Sequence, residues 1–219
     1  MADKIAAQVQ LPFFSYRLIF QDQLFDLDKL DSVASKAAFL AFRPWNISLE
    51  NVTFKENAAN LAEEATNFSL LGGKITFGIT PGGCTVGVAN PNWSEADLIT
   101  KVTTAGTQAV LKATGAGVDK QHGSIIMHLI PQTGRALDIT SRFVSLDLHK
   151  VIGAPVHSLG FAVHRDDLVW VVDKSASFQN ALFVRLDRWF GPTDLFEQIA
   201  RQLNDDESKL LDMLGLEVD

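Results

Sequence analysis

Two apolar runs, 74–80 and 84–89, are joined by Pro81-Gly82-Gly83, and this arrangement constrains the chain more than any other feature. Glycine supplies the positive φ of a tight turn, so the segment reads as a β-hairpin. Strands joined by a short turn pair antiparallel. A second segment repeats the pattern: residues 75–88 align without gaps on 159–172, matching Phe77 to Phe161, Ile79 to Val163 and Val88 to Val172. A tryptophan (Trp93, Trp189) and a capped helical pattern follow each hairpin. An apolar strand, 13–20 or 124–130, precedes each. The chain therefore reads as one domain over 1–219. Within it, a duplication would relate two strand–connection–meander–helix halves, 11–115 and 122–214.

The other segments fill in an α+β fold. In 13–20, Phe14, Tyr16, Leu18 and Phe20 face one way, and Phe13, Ser15, Arg17 and Ile19 the other. Leu27, Leu30, Val33, Ala34, Ala37 and Ala41 form a helical stripe, with Asp26 or Asp28 as cap and Pro44 as limit. Residues 47–55 read as a strand. In 57–66, Ala and Glu favour helix while the asparagines do not. Ser94 with Asp97 suggests a capping box for a helix running to Thr114, stopped by Gly115 and Gly117. Its expected buried stripe is Leu98, Val102, Ala105, Gly106, Ala109 and Ala113. Strands are expected at 137–144 and 182–189, and a loop or short helical turn at 147–154. Asp194 and Glu197 open a helix carrying Leu195, Phe196, Ile199 and Leu203. After Asn204-Asp205-Asp206, a separate short helix carries Leu210, Leu211 and Leu214. Hairpins predominate and helices stand apart from strands, which predicts a largely antiparallel sheet with segregated helices.

Charge and cysteine content narrow the function. The net charge of -7 and the lack of any Lys/Arg run argue against nucleic acid and anionic membranes as partners. One cysteine, Cys84, allows neither an internal disulfide nor a multi-cysteine zinc site. No stretch approaches the roughly 20 apolar residues of a spanning helix, and no leader is evident, so the expected location is the cytoplasm.

Catalytic motifs fail one by one. Neither Gly72-Gly73-Lys74 nor Pro81-Gly82-Gly83 has phosphate-loop spacing. Cys84 begins a strand rather than a strand-to-helix elbow, so it reads as a buried thiol. His164-Arg165-Asp166 has the letters of a kinase catalytic loop without its companions, and reads as a charged turn. The five histidines lie at no metal-binding spacing, so neither metal nor other cofactor is expected.

What remains is one sheet face. Arg17, His128, Phe183, Arg185, Asp187 and Trp189 fall on the non-core sides of their strands. Ser124 shares that side with His128, while Ile125, Met127 and Leu129 face the core. Such a mixture has the make-up of a recognition surface, although a wet antiparallel face bearing cross-strand ion pairs has it too. The expected function is non-catalytic binding or assembly, through this face or the C-terminal helix. Exposed Phe42, Trp45, Phe183 and Trp189 would form a homo-oligomer. Two alternatives are a small-molecule carrier or enzyme with an apolar cavity between sheet and helix, and a hydrolase or isomerase using His128 with Asp187.

Overall fold

The computed structural model describes residues 4–24, 32–55, 64–143 and 157–218. Among the described residues ten strands form a largely antiparallel sheet accompanied by four helices, so the fold is α+β. The strands are β1 (Ile5–Phe20), β2 (Val52–Lys55), β3 (Ala65–Leu70), β4 (Ile75–Thr80), β5 (Gly83–Ala89), β6 (Val118–Pro131), β7 (Phe161–Arg165), β8 (Leu168–Lys174), β9 (Leu182–Phe190) and β10 (Leu216–Val218). The helices are α1 (Val33–Phe42), α2 (Ala96–Thr114), α3 (Ala136–Thr140) and α4 (Phe196–Leu214). The chain divides into two compact units. One comprises Met1–Phe13, Ser124–Arg188 and Gln202–Asp219, the other Phe14–Gly123 and Trp189–Arg201.

In the second of these units the strand order is β2-β3-β4-β5-β1-β6. The first hairpin forms as its turn residues predict, with Thr80 opposite Gly83 and Phe77 opposite Val86. Gly83 is required there: a Cβ would lie 2.0 Å from the carbonyl oxygen of Leu18. Phe14, Tyr16, Leu18 and Phe20 are all buried, as alternation in β1 predicts. Helices α1 and α2 pack together, and Phe42 closes an aromatic cluster with Phe77 at 5.0 Å, Phe68 at 5.5 Å and Trp45 at 6.2 Å between ring centroids. Phe42 is thus wholly buried and offers no surface to a second copy.

Several helix details differ from expectation. The described part of α1 is capped by Ser32, whose hydroxyl accepts from Ser35 N at 3.2 Å. The proposed caps Asp26 and Asp28, with Leu27 and Leu30, lie outside the described residues. Pro44 ends α1 as expected, entering a 3-10 turn over Arg43–Trp45. Another such turn, Leu49–Asn51, shortens the strand expected at 47–55 to β2. The ambiguous 57–66 segment ends in β3, where β-branched Thr66 joins the ladder; residues 56–63 are outside the description. Helix α2 begins at Ala96 behind a 3-10 turn over Trp93–Glu95, so Ser94 does not cap it. It ends at Gly115, whose φ of 69° lets its N–H reach Leu111 O at 2.9 Å. Its buried stripe is Ile99, Val102, Thr103, Gly106, Thr107 and Val110. The stripe is rotated from the predicted one because two threonines occupy buried positions that a count of apolar residues skips. The Thr107 hydroxyl donates to Thr103 O at 2.8 Å, while the Thr103 hydroxyl is buried with no hydrogen-bond partner among the described residues.

In the other unit the order is β1-β6-β9-β8-β7, with β10 added parallel to β1 through Ile5 opposite Leu216. The strand expected at 137–144 is instead the short helix α3, in which Ala136, Ile139 and Thr140 are buried at helical spacing. The loop expected at 147–154 lies outside the described residues. The second hairpin closes Arg165 onto Leu168. The two helices expected near the C-terminus are one, α4. Asn204-Asp205-Asp206 does not break it, because Asp206 turns inward on the stripe of Leu203, Leu210 and Leu214 and is paired there by Arg188.

Candidate functional site

Three strands place the predicted surface residues, which fall into two groups, one in each unit; Asp187 alone of the six is buried, at 6% exposure. In the unit of Phe14–Gly123 and Trp189–Arg201, the even positions of β6 turn Lys120 and His122 away from buried Gln121 and Gly123. Trp189, near the end of β9, is 40% exposed. Its ring meets that of His122 at 4.4 Å between centroids with the planes 38° apart, and Lys120 Nζ lies 4.8 Å from its centre. An ammonium over an indole face contributes about 0.5–1 kcal/mol at an exposed site. The indole is therefore flanked by nitrogen groups while part of its surface stays open to solvent. Arg17 is also exposed, on the outward side of β1.

A buried network lies on the opposite side of these strands. Tyr16 donates to Gln121 Oε1, and the Gln121 amide donates to Gly191 O at 2.8 Å and Asp194 O at 2.9 Å. Phe196 packs edge-on against Tyr16 at 4.9 Å. The network fixes the 191–194 turn that directly follows β9, and so fixes the end of the strand that carries Trp189.

The second group lies in the other unit. The ring of His128 sits 5.5 Å from Phe183 and 5.1 Å from Phe178, and its Nδ1 is 2.9 Å from Ser175 Oγ. Ser175 Oγ also accepts from Ser177 N and Phe178 N. Those two bonds fill its acceptor positions, so its proton goes to His128 Nδ1 and the pattern assigns the Nε2–H tautomer. Arg185 Nε meets Asp187 Oδ2 at 2.6 Å. Asp187 lies four residues beyond Phe183 along β9, about 13 Å at the rise of a strand. His128 and Asp187 are therefore set apart, each with another partner.

The sequence pointed to Arg17, His128, Phe183, Arg185, Asp187 and Trp189 but missed Lys120, His122, Ser175 and Phe178. Lys120 and His122 were legible in principle. Gly123 reads as a strand break, yet β6 runs through it, and the even-position pattern of Ser124 and His128 continues back to them. Ser175 and Phe178 lie in a loop, where no periodicity marks them.

Cys84 is fully buried in β5, which pushes its thiol pKa well up and removes it from nucleophilic chemistry near neutrality. Among the described residues no three or more His, Cys, Asp or Glu side chains gather as a metal site, and no helix is long and apolar enough to cross a membrane. No protein-family model matches this chain, and neither does any curated protein.

Proposed function

We propose that this is a non-catalytic binding or assembly protein that engages an acidic protein surface through the face around Trp189. The observation that carries the reading is the half-open indole of Trp189, with the tilted ring of His122 against it and Lys120 Nζ over its face. Rigid aromatics beside cations are the residues that anchor protein interfaces, because they bring large contact area at small entropic cost. A second copy of this chain, at net charge -7, is itself an acidic partner.

Light scattering over a concentration series tests the reading. The wild type should associate, more weakly as salt rises, and Trp189→Ala and Lys120→Glu should each shift it toward monomer with an unchanged melting temperature. A wild type that stays monomeric at millimolar concentration would remove self-assembly from the proposal. Association that both variants retain would move the interface off this face.

A further inference from the structure

The unit of Met1–Phe13, Ser124–Arg188 and Gln202–Asp219 contains a basin of about 330 Å³. That volume lies within the range of pockets that hold small organic ligands. Its accessible apolar lining is Leu137 and Leu159, both half-buried, with Ala181 and Leu182 fully buried behind them. The rim is polar and cationic, with Arg135, His157, Lys174 and Gln179 around the opening. No Asp or Glu occurs among its described lining residues, although the chain carries 26 acidic residues against 19 basic ones.

Hydrogen bonds fix the walls. Ser175 N donates to Ala181 O at 2.9 Å and closes the loop between β8 and β9. Asn180, at a left-handed φ of 52°, staples that loop to the entry of α3. Its Oδ1 accepts from Ala136 N at 2.9 Å, and its amide donates to Gly134 O at 3.2 Å. The basin is therefore shaped before a ligand arrives, which spares the cost of ordering it. Arg135 is oriented by two bonds to Asp138, at 2.9 and 3.2 Å, and keeps further N–H groups to donate. The ammonium of Lys174 makes no ion pair among the described residues.

We propose that this basin binds a small organic anion, a carboxylate or phosphate group on a compact apolar body. The anionic group is matched by Lys174, with Arg135 and His157 beside it, and the apolar body lies against Leu137 and Leu159. This site is independent of the face around Trp189, and neither proposal rests on the other.

Titration of the full chain with benzoate and with phenyl phosphate, followed by amide NMR shifts, tests it. Saturable shifts are expected at Lys174, Gln179 and Ala181 for at least one probe. Inorganic phosphate, lacking the apolar body, should bind more weakly. Lys174→Glu should weaken binding by at least about tenfold, since it replaces attraction with like-charge repulsion. Gln179→Ala should weaken it with the spectrum otherwise intact, and Lys120→Glu should leave it unchanged. The absence of saturable shifts with both probes, or equal affinity in Lys174→Glu, would overturn the proposal.

Discussion

Asp206 faces inward from the middle of α4 and accepts a hydrogen bond from Nη1 of Arg188, on β9. The guanidinium reaches Asp167 with Nη2 at 2.7 Å, and Gln202 donates to the second oxygen of Asp206 at 3.1 Å. A buried carboxylate is tolerated only when its charge and lone pairs are matched, and here they are. Removing one partner strands the other, so Asp206→Ala should cost about 3 kcal/mol. Asp205→Ala, one residue away and exposed, should change stability by no more than about 0.5 kcal/mol. The joint replacement Arg188→Met with Asp206→Leu should recover most of the loss, because an apolar pair carries no desolvation penalty. Urea midpoints at constant m-value measure all three.

Gly106 sets the spacing between α2 and the aromatic cluster. A Cβ there would stand 2.6 Å from both Phe42 Cζ and Phe77 Cε2. Two effects oppose each other in Gly106→Ala. Helix propensity favours alanine by about 1 kcal/mol, while overpacking a core costs about 1–3 kcal/mol. Both rings are fully buried and cannot swing aside, so the clash wins. The variant should be net destabilised, by up to about 2 kcal/mol, read from its thermal midpoint. A stabilised variant would mean that the helix can lift from the rings.

The same contrast shows which parts of the fold could be read from the sequence. Local turn chemistry and two-residue alternation carried through: Pro81-Gly82 makes its hairpin, Gly115 ends α2, and the inward set of β1 is the expected one. Alternation also placed Trp189 and His128 outside the core. Where composition and tertiary environment disagree, the sequence misled. Asp206 looks like a helix break until Arg188 is seen beside it. Leu137 and Ile139 look like strand residues, but α3 buries Ile139 at helical spacing. The first half of β1, with its alanines and glutamines, carries too little β signal to show as a strand. Its burial also changes phase near Leu11, which takes a positive φ of 47°: Ala7 is buried at an odd position, Phe14 to Phe20 at even ones. A strand that shifts phase cannot be followed by counting in twos.

The paired hairpins show a similar limit. Both close over two residues, but Phe77 stands opposite Val86 and Phe161 opposite Val172. Aligned letters match strand composition and turn length, while pairing partners follow from where each turn falls. The basin above the β8–β9 loop left no mark in the sequence at all, since its lining residues come from segments with no common spacing.

The C-terminal leucines are buried within the chain itself: Leu210, Leu211, Leu214 and Leu216 are each at most 9% exposed. Ending the chain after Leu214 would remove β10 and its pairing with β1. Losing Leu216 alone forfeits about 2 kcal/mol of apolar burial. Ending it after Asn204 would also remove the partner of Arg188 and three more buried leucines. The shorter truncation should lower the melting temperature with the fold retained, and the longer one should abolish cooperative unfolding of that unit. An unchanged melting temperature in both would mean that these leucines do not support the fold.

Tyr16 and Cys84 should make the protein sensitive to alkali. Burial pushes the Tyr16 phenol up, with a smaller contribution from Cys84, and burial alone pushes the Cys84 thiol up. In the unfolded chain the thiol titrates at its ordinary 9.0 and the phenol at its ordinary 10.0, while in the folded chain both keep their protons to higher pH. A raised folded pKa contributes stability that is complete below the ordinary value and is lost as pH climbs from there toward the folded value. Each group should therefore add a slope of about 1.4 kcal/mol per pH unit, the thiol from pH 9 upward and the phenol from pH 10. Cys84→Ala and Tyr16→Phe each carry a constant cost, from a small cavity and from an unmatched Gln121 respectively. That cost shifts the whole curve without tilting it, so the slope isolates ionisation. Urea unfolding at intervals between pH 8 and about pH 11 should show each variant losing its own share of the slope. Native Cys84 should correspondingly react with a thiol reagent far more slowly than the denatured protein does. Parallel curves for wild type and variants, or fast native labelling, would show that the two groups reach solvent and that the packing of β1 against β5 is looser than described.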